Sequence, residues 1–291
     1  MKRIAAIDIG TNSTRLLVAD VSGGSIKPLE TRLRNTRLGQ GISGGVLTPA
    51  AMERTLDTID YYQKVAALMG ANVVIAAATS AVRDARNRDT FLSMARERLG
   101  LNIMVLSGEE EAFLSYQGVL SGLLLDRMLT VVVDVGGGST ELIWHKEGRL
   151  AYLSVNAGAL RMTEAGANES QITAILGPAL AKVRQSPVNG LVGVGGTITT
   201  LAAVDQGLSV YDPLHIHGYR LTASAVQHII SKLKSMDIEK RKNVPGLQPE
   251  RADIIVAGVE IVKTIMEGLG QKQMLVSECS ILSGLILEKS K

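Results

Sequence analysis

Two carboxylates flank a glycine-rich turn in the middle of the chain. Residues 129–144 run from β-branched residues through Asp134, three glycines and two hydroxyl residues to Glu141 and a second apolar run. This pattern predicts two antiparallel strands joined by a tight turn without large side chains. Successive N–H groups of such a turn could form a concave nest for an anion such as phosphate. The reversal would also bring Asp134 and Glu141 to one end of the hairpin, where two carboxylates could hold hydrated Mg2+. A plain hairpin turn explains the same glycines.

A second hairpin of this kind opens the chain. Residues 3–9 predict a buried strand that contains Asp8, residues 10–13 a glycine and hydroxyl turn, and residues 14–19 the returning strand. The shared plan indicates an internal repeat in which one hairpin opens each of two domains.

Two strand-to-helix junctions also carry small and hydroxyl residues. Thr79 and Ser80 follow a predicted strand, and their exposed N–H groups suit an anion to which Arg83 could add a charge-assisted contact. Arg83 could equally pair with Asp84 or Glu97 on the surface. Residues 190–197 form the second junction, where backbone could meet a phosphate or nucleoside, or where glycine simply lets a helix pack against a strand.

A cluster of three glutamates follows Ser107. Ser107 and Glu110 have capping-box spacing, and Glu109 would suit the first turn of a helix through the helix dipole. Glu111 is left without a capping role, so it is the candidate for chemistry.

Composition restricts the class of protein. The chain has 291 residues, 46% hydrophobic and 20% charged, which indicates a globular α/β protein of two domains, divided as residues 1–124 and 125–291. Its 31 basic and 28 acidic residues and its 3% aromatic content argue against nucleic-acid binding. The single cysteine, Cys279, excludes an internal disulfide, and the pair His215 and His217 fits a loop or strand surface better than a metal site. No signal peptide or membrane span is predicted, so a cytoplasmic location is expected.

Together these segments resemble the exopolyphosphatase and guanosine pentaphosphate phosphohydrolase family, within the larger actin, sugar-kinase and Hsp70 fold group. The resemblance covers nearly the whole chain and is carried by six pieces in family order: AIDIGTNSTRLLV (6–18), ATSAVRDARN (78–87), SGEEEAFLSYQGV (107–119), VVDVGGGSTELI (132–143), VGVGGTITTLAA (192–203) and ERADIIVAG (250–258). It implies two RNase H-like α/β domains with a cleft between them and a last helix that packs back on the first domain. The chain looks like the short, two-domain form of the family.

The resemblance also implies roles for individual residues. Glu111 falls at the catalytic glutamate of the family, and the two hairpins would hold phosphates from opposite walls of the cleft. Where the family often has Gly-Leu-Arg-Glu-Gly in its last helix, this chain has residues 280–284, Ser-Ile-Leu-Ser-Gly. Any role of that arginine and glutamate is therefore not transferred.

These inferences predict an exopolyphosphatase that releases terminal phosphate from inorganic polyphosphate by attack of water. Glu111 would orient and deprotonate the water, and Mg2+ would be held near Asp134 and Glu141 with Asp8 as a further contact. The predicted substrate-binding residues are Asn12, Ser13, Arg15, Arg83, Gly136, Gly137, Gly138, Ser139, Thr140 and Arg251.

Three rival functions remain open from the sequence. The first is hydrolysis of the 5′-phosphate of pppGpp, because the family uses the same pocket for both substrates. The second is an ATP-dependent sugar or acid kinase of the same fold group, although such kinases have longer chains and lack the Glu-Glu-Ala motif. The third is an alarmone-binding protein without turnover, which intact Glu111, Asp134 and Glu141 argue against. A homodimer is one oligomeric state that the family implies.

Overall fold

The computed structural model describes residues 2–291, apart from the side chain of Ser43. The chain divides into two compact units, of which the first comprises Met1–Ser121 and Ser280–Lys291 and the second Gly122–Cys279. The last helix of the chain therefore belongs to the first unit.

The first unit contains a five-stranded mixed sheet with helices on both faces. Its elements in chain order are β1 (Lys2–Ile9), β2 (Thr14–Ser22), β3 (Ser25–Arg34), α1 (Pro49–Leu68), β4 (Val73–Ala78), α2 (Ser80–Arg83), α3 (Arg88–Leu99), β5 (Ile103–Val105) and α4 (Gly108–Gly122). The strand order is β3-β2-β1-β4-β5, in which β1 to β3 are antiparallel neighbours and β4 and β5 run parallel to β1.

The second unit repeats this plan with one added strand. Its elements are β6 (Thr130–Val135), β7 (Thr140–Lys146), β8 (Arg149–Val155), α5 (Ala159–Glu164), α6 (Glu169–Val183), β9 (Gly190–Val194), α7 (Gly196–Asp205), α8 (Pro213–Ile216), β10 (Arg220–Thr222), α9 (Ala223–Lys234), α10 (Ile238–Arg241), α11 (Ile255–Gly268) and β11 (Gln273–Val276). The sheet order is β10-β11-β9-β6-β7-β8. Read from β8 to β11 it matches the first sheet from β3 to β5, which confirms the prediction of two RNase H-like α/β sheets.

The last helix, α12 (Ile281–Ser290), covers one face of the first sheet. Ile4 and Ala6 of β1 pack against Leu282 and Ile286 of α12, while alternate residues of β1 pack with α1 on the other face. A strand covered on both faces needs a nearly continuous apolar run, and β1 accordingly is buried from Ile4 to Ile9 without interruption.

Two elements differ from the pattern in the sequence. The apolar residues that follow Pro249 would suit one continuous helix, but the segment begins as a short 3-10 helix, Pro249–Arg251, and α11 starts only at Ile255. The three-residue strand β10, which pairs with β11, was not predicted because three residues are too few to show alternation. Across residues 2–291 no helix has the length and apolar character needed to cross a bilayer.

Candidate functional site

The turn between β6 and β7 is held by a helix that packs against it. Gly136 closes the turn by donating its N–H to the carbonyl of Ser139 at 3.0 Å. The carbonyl of Gly137 accepts two N–H groups from the first turn of α5, at 2.9 and 3.0 Å, and Arg161 donates from Nε to the carbonyl of Gly138 at 2.7 Å. A Cβ on Gly158 would lie 2.4 Å from the backbone of Gly137, so only glycine allows this approach. The carbonyls of Gly136, Gly137 and Gly138 are thus all directed toward α5, since that of Gly136 accepts the N–H of Ala159 at 3.0 Å.

The opposite side of the same turn presents backbone donors. The N–H groups of Gly137, Gly138 and Ser139 donate to no protein acceptor in the described chain. Three successive N–H groups of a tight turn form a concave site for a phosphate oxygen. These three donors are the groups that the predicted nest requires, and the nest itself stays a prediction. Thr140 lies beneath it, fully buried, and donates its hydroxyl to the carbonyl of Ala157.

Asp134 and Glu141 face each other across the hairpin. They are direct cross-strand partners and both are buried, with 7% and 1% of their surface exposed. Side chains opposite each other in an antiparallel pair lie on one face, and two like charges in that position destabilise the sheet. A divalent cation between them would remove the repulsion. The residues present therefore fit Mg2+, which is commonly held by one or two carboxylates with water and substrate oxygens completing its shell.

Neighbours on both sides constrain this carboxylate pair. Ser154 on β8 donates its hydroxyl to Glu141 Oε1 at 2.7 Å. Gly195, at φ +94°, lies so close that a Cβ would meet Asp134 Oδ1 at 2.8 Å and the carbonyl of Val135 at 2.7 Å. Among residues 2–291 no group of three or more His, Cys, Asp and Glu side chains gathers tightly enough to bind a metal ion by itself. Within residues 2–291, no third carboxylate, histidine or cysteine therefore joins the pair closely enough to form such a group.

The first hairpin has the same turn. Gly10 donates its N–H to the carbonyl of Ser13 at 3.0 Å, and the carbonyls of Thr11 and Asn12 accept N–H groups from residues 37–39 at 2.8 to 2.9 Å. The N–H groups of Thr11, Asn12 and Ser13 have no protein acceptor within the described part of the chain. Asn12 is buried, and its amide donates to Asn35 at 3.1 Å. The turn between β1 and β2 is therefore a second candidate nest.

Asp8 has a different partner from its counterpart Asp134. Its cross-strand neighbour is Arg15, which donates Nε and Nη2 to Asp8 Oδ2 at 2.9 and 2.7 Å. The carboxylate is 5% exposed and the guanidinium 22%. The predicted metal contact and the predicted phosphate clamp of the first hairpin thus bind each other.

Glu111 lies in the first turn of α4 and contacts Arg83. Arg83 Nη1 donates to Glu111 Oε2 at 2.8 Å and to the carbonyl of Leu106 at 3.1 Å, while its Nε lies 3.6 Å from Asp84. The Glu111 side chain is 10% exposed and that of Arg83 is 20% exposed. The sequence analysis gave Asp84 and Glu97 as possible surface partners of Arg83. Asp84 is in contact with Arg83, but the closest ion pair of Arg83 is with Glu111.

The capping box that frees Glu111 for another role is present. The backbone N–H of Ser107 donates to Glu110 at 2.8 Å, and the Ser107 hydroxyl accepts the N–H of Glu110 at 3.2 Å. The N–H of Ser107 is the main cause that holds the pKa of the Glu110 carboxyl below its ordinary value, with the Ser107 hydroxyl second. Glu110 is thus a structural residue, and α4 begins at a fixed point that places Glu111.

Arg251 lies buried at the start of α7 in the second unit. It is 5% exposed and donates from Nε to Gln248 at 2.9 Å. A Cβ on Gly196 would lie 2.3 Å from Nη2 of Arg251, so the guanidinium lies directly on this glycine. Gly196 therefore allows an arginine to approach the N-terminus of α7. This packing role adds to the one suggested for residues 190–197, in which glycine lets a helix pack against a strand.

Arg161 and Tyr211 are two site residues that the sequence did not identify. Arg161 orients the turn after β6, and the Tyr211 hydroxyl donates to Glu278 near Arg251. Desolvation raises the pKa of Tyr211 far above its ordinary value, and Glu278 adds to the effect, so this hydroxyl stays protonated at neutral pH. The only signal for Arg161 was its place one turn into a helix that follows Gly158. Tyr211 gave no signal at all.

The two histidines with metal-like spacing have other partners. His215 Nδ1 lies 2.9 Å from Asp212, and His217 contacts the carbonyl of Gly122 and the N–H of Glu278 at 3.1 and 3.2 Å. Both histidines therefore make hydrogen bonds within the second unit.

Comparison with known proteins gives a consistent result. The sequence pattern of the Ppx/GppA phosphatase family matches residues 7–291. The curated protein Exopolyphosphatase 2 of Mycobacterium tuberculosis (strain CDC 1551 / Oshkosh) is 34% identical over 313 residues, covering 99% of this chain and 98% of its own. The crystal structure of the Aquifex aeolicus member of the Ppx/GppA family is 31% identical, with a TM-score of 0.82 over 99% of this chain and 97% of that one. An exopolyphosphatase from Cytophaga hutchinsonii shares the fold, with a TM-score of 0.90 at 24% identity over 100% of this chain and 99% of that one.

Proposed function

Because the chain belongs to the Ppx/GppA phosphatase family, we propose that it is an exopolyphosphatase that releases orthophosphate from the end of inorganic polyphosphate. The observation that carries this proposal is the second hairpin, where three backbone donors adjoin a buried carboxylate pair. Such a site suits a phosphate chain, which presents anionic oxygens and binds divalent cations. The name of the Mycobacterium tuberculosis relative supports the choice of substrate.

We assign Glu111 as the general base. It would orient a water molecule and accept its proton as the water oxygen attacks the terminal phosphorus and the phosphoanhydride bond breaks. Arg83 donates to Oε2 of Glu111 and so holds this carboxylate in position. Since Arg83 also donates to the carbonyl of Leu106, its role in this proposal is to fix the rotamer of the base.

We assign the N–H groups of Gly137, Gly138 and Ser139 to the oxygens of the terminal phosphate. A preorganised set of donors stabilises charge that grows on those oxygens in the transition state without rearranging during the reaction. Gly136 and Thr140 hold the shape of the turn, and Arg161 keeps its carbonyls turned away from the anion.

Asp134 and Glu141 would hold Mg2+. When bound, the ion would neutralise phosphate oxygens and so help both binding and bond cleavage. Asp8 and Arg15 form an ion pair with each other. We therefore assign this pair a structural role, in which it supports the turn of the first hairpin that presents the N–H groups of Asn12 and Ser13. Arg251 at the start of α7 is the remaining candidate for contact with phosphates along the chain.

The test is phosphate release from long-chain polyphosphate by Glu111→Gln. A general base contributes about 10²- to 10⁴-fold, so the variant should lose activity by that order while its thermal unfolding stays unchanged. Glu109→Gln is the matched control, because Glu109 lies in the same helical turn and is exposed. Equal activity in both variants would remove Glu111 from the mechanism.

Hydrolysis of pppGpp to ppGpp is the second candidate, because the family that the chain matches is defined by both activities. A phosphate-release assay with each substrate, with and without Mg2+, separates the two. The exopolyphosphatase assignment predicts a higher kcat/KM on polyphosphate.

A further inference from the structure

In the first unit, the short segment that follows β3 holds basic residues beside the turn of the first hairpin. Thr36 in this segment is buried, and its hydroxyl forms a hydrogen bond with the hydroxyl of Thr14 at 2.8 Å. Arg37 donates its backbone N–H to the carbonyl of Asn12, in the turn itself, at 2.8 Å. Arg54 of α1 donates from Nε to the carbonyl of Thr36 at 3.2 Å. The segment therefore brings one arginine of the loop and one of α1 close to the first candidate nest.

Arg34, the last residue of β3, adds a third guanidinium group. Its central carbon lies 4.1 Å from the centroid of the Tyr61 ring on α1. Contact with a ring face leaves the charge of a guanidinium in place, and its N–H groups remain suited to paired hydrogen bonds with phosphate. Arg54 and Tyr61 are seven residues apart on α1, so they share one face of the helix at a separation of about 10 Å. Arg34 and Arg54 are therefore attached along the same face of α1.

The positive charge of this face is not neutralised by nearby carboxylates. Among residues 2–291, neither Arg34 nor Arg54 forms an ion pair, and both are exposed. The four acidic residues of β3 and α1 all pair with other basic residues: Glu30 with Arg32, Glu53 and Asp57 with Arg98, and Asp60 with Lys64. The guanidinium groups of Arg34 and Arg54 therefore attract an anion from outside the chain.

The backbone of Arg37 gives a second and independent indication. Arg37 adopts a left-handed conformation, with φ at +49°. Few residues other than glycine do so, and asparagine accepts this conformation more readily than arginine. The hydrogen bond to Asn12 and a second one, from the N–H of Gln40 to the carbonyl of Arg37 at 3.0 Å, hold it in place. Backbone strain of this kind is typical of binding sites, and it indicates a use for the arginine side chain.

We propose that Arg34, Arg37 and Arg54 form a basic strip that binds internal phosphates of a polyphosphate chain. The proposal rests on the function proposed above, and it adds a subsite within the first unit. Each internal phosphate of such a chain carries a negative charge, so a row of guanidinium groups can bind successive phosphates wherever the chain ends. A short chain leaves part of the strip without a partner. The basic strip should therefore favour long chains over short ones.

The test compares KM for phosphate release from tripolyphosphate and from long-chain polyphosphate. In the double variant Arg34→Gln with Arg54→Gln, KM for the long chain should rise about tenfold or more, because two charge-assisted contacts are lost. The change on tripolyphosphate should be much smaller, and kcat on the long chain should stay the same. Arg96→Gln is the matched control, since Arg96 is an exposed arginine of α3 that contacts Asn102 at 3.1 Å.

Arg37→Asn separates the side chain from the backbone. Asparagine accepts the left-handed conformation with less strain, so the Tm of this variant should equal or exceed that of the unchanged protein. KM for long-chain polyphosphate should nevertheless rise severalfold, because the charge is lost. A lower Tm would mean that Arg37 serves the fold, and it would remove this residue from the strip.

A binding measurement keeps this proposal distinct from the proposed function. Titration calorimetry of long-chain polyphosphate into Glu111→Gln protein, with and without the strip substitutions, measures affinity apart from turnover. If the unchanged protein releases no phosphate from polyphosphate, the proposed function fails, and the titration still decides whether the strip binds the chain. If the protein is active but the double variant raises KM equally for both chain lengths, or if Arg96→Gln has the same effect, the basic strip is overturned.

Discussion

The two hairpins share a backbone but differ in the charge opposite the aspartate. In both, a glycine closes the turn onto a serine carbonyl at 3.0 Å, and three N–H groups remain for an anion. Asp8 faces Arg15, whereas Asp134 faces Glu141. The first pair joins opposite charges, while the second places two like charges opposite each other. One repeated frame thus yields a closed ion pair in one unit and a candidate metal site in the other.

The strand that follows each hairpin, β3 or β8, adds a second difference between the two hairpins. Leu33 of β3 lies opposite Arg15, and Ser154 of β8 lies opposite Glu141. The leucine gives the ion pair an apolar neighbour, while the serine hydroxyl orients one oxygen of Glu141. Two positions in register with the shared aspartate therefore distinguish the hairpins, and each can be changed separately.

The largest effect is expected at Glu141. Glu141→Gln keeps the shape of the side chain but halves the charge of the pair, so phosphate release should fall by roughly a hundredfold or more and require more Mg2+. The measurement is the initial rate of phosphate release as a function of Mg2+ concentration.

Asp8→Asn is the matched control for that experiment. It removes a carboxylate from the same position of the other hairpin, so it should leave the Mg2+ concentration for half-maximal rate unchanged. If both variants shift that concentration equally, the assignment of the metal to the second hairpin fails.

The next effect concerns stability. Arg15→Met leaves the buried Asp8 carboxylate without its main partner and should cost about 2 kcal/mol in the free energy of unfolding, measured by urea denaturation. The double variant Asp8→Leu with Arg15→Met removes both charges and should recover most of this loss. Arg32→Met serves as the control, because Arg32 is 50% exposed and pairs with Glu30 at 3.2 Å. A surface pair of that kind contributes no more than about 1 kcal/mol.

The facing carboxylates of the second hairpin were predictable from the sequence, because a short glycine turn fixes the register of the strands that it joins. The capping role of Glu110 followed in the same way from a local spacing. Such features depend on residues that lie close together along the chain.

Contacts between distant segments could not be predicted in this way. Arg83 reaches Glu111 across 28 positions, and Arg161 reaches Gly138 across 23. The local sequence pattern suggested the nearer carboxylates Asp84 and Glu97 as partners of Arg83, because such a pattern contains no information on how α2 and α4 pack. The approach of Arg251 to Gly196 likewise depends on the packing of the α11 segment against α7.

The smallest effect is expected at Ser154. The Ser154 hydroxyl donates to Glu141 Oε1, so Ser154→Ala frees that carboxylate to rotate without removing any charge. Neighbours of this kind usually change metal affinity by about tenfold or more, and the exposed position of Ser154 on an outer strand favours the lower end. The Mg2+ concentration for half-maximal phosphate release should therefore rise about tenfold, while the rate at saturating Mg2+ stays near that of the unchanged protein. Leu33→Ala occupies the equivalent position of the first sheet and should leave the Mg2+ response as it is. A loss of rate in Ser154→Ala that added Mg2+ does not recover would mean that Ser154 supports the fold of the hairpin and does not orient a metal ligand.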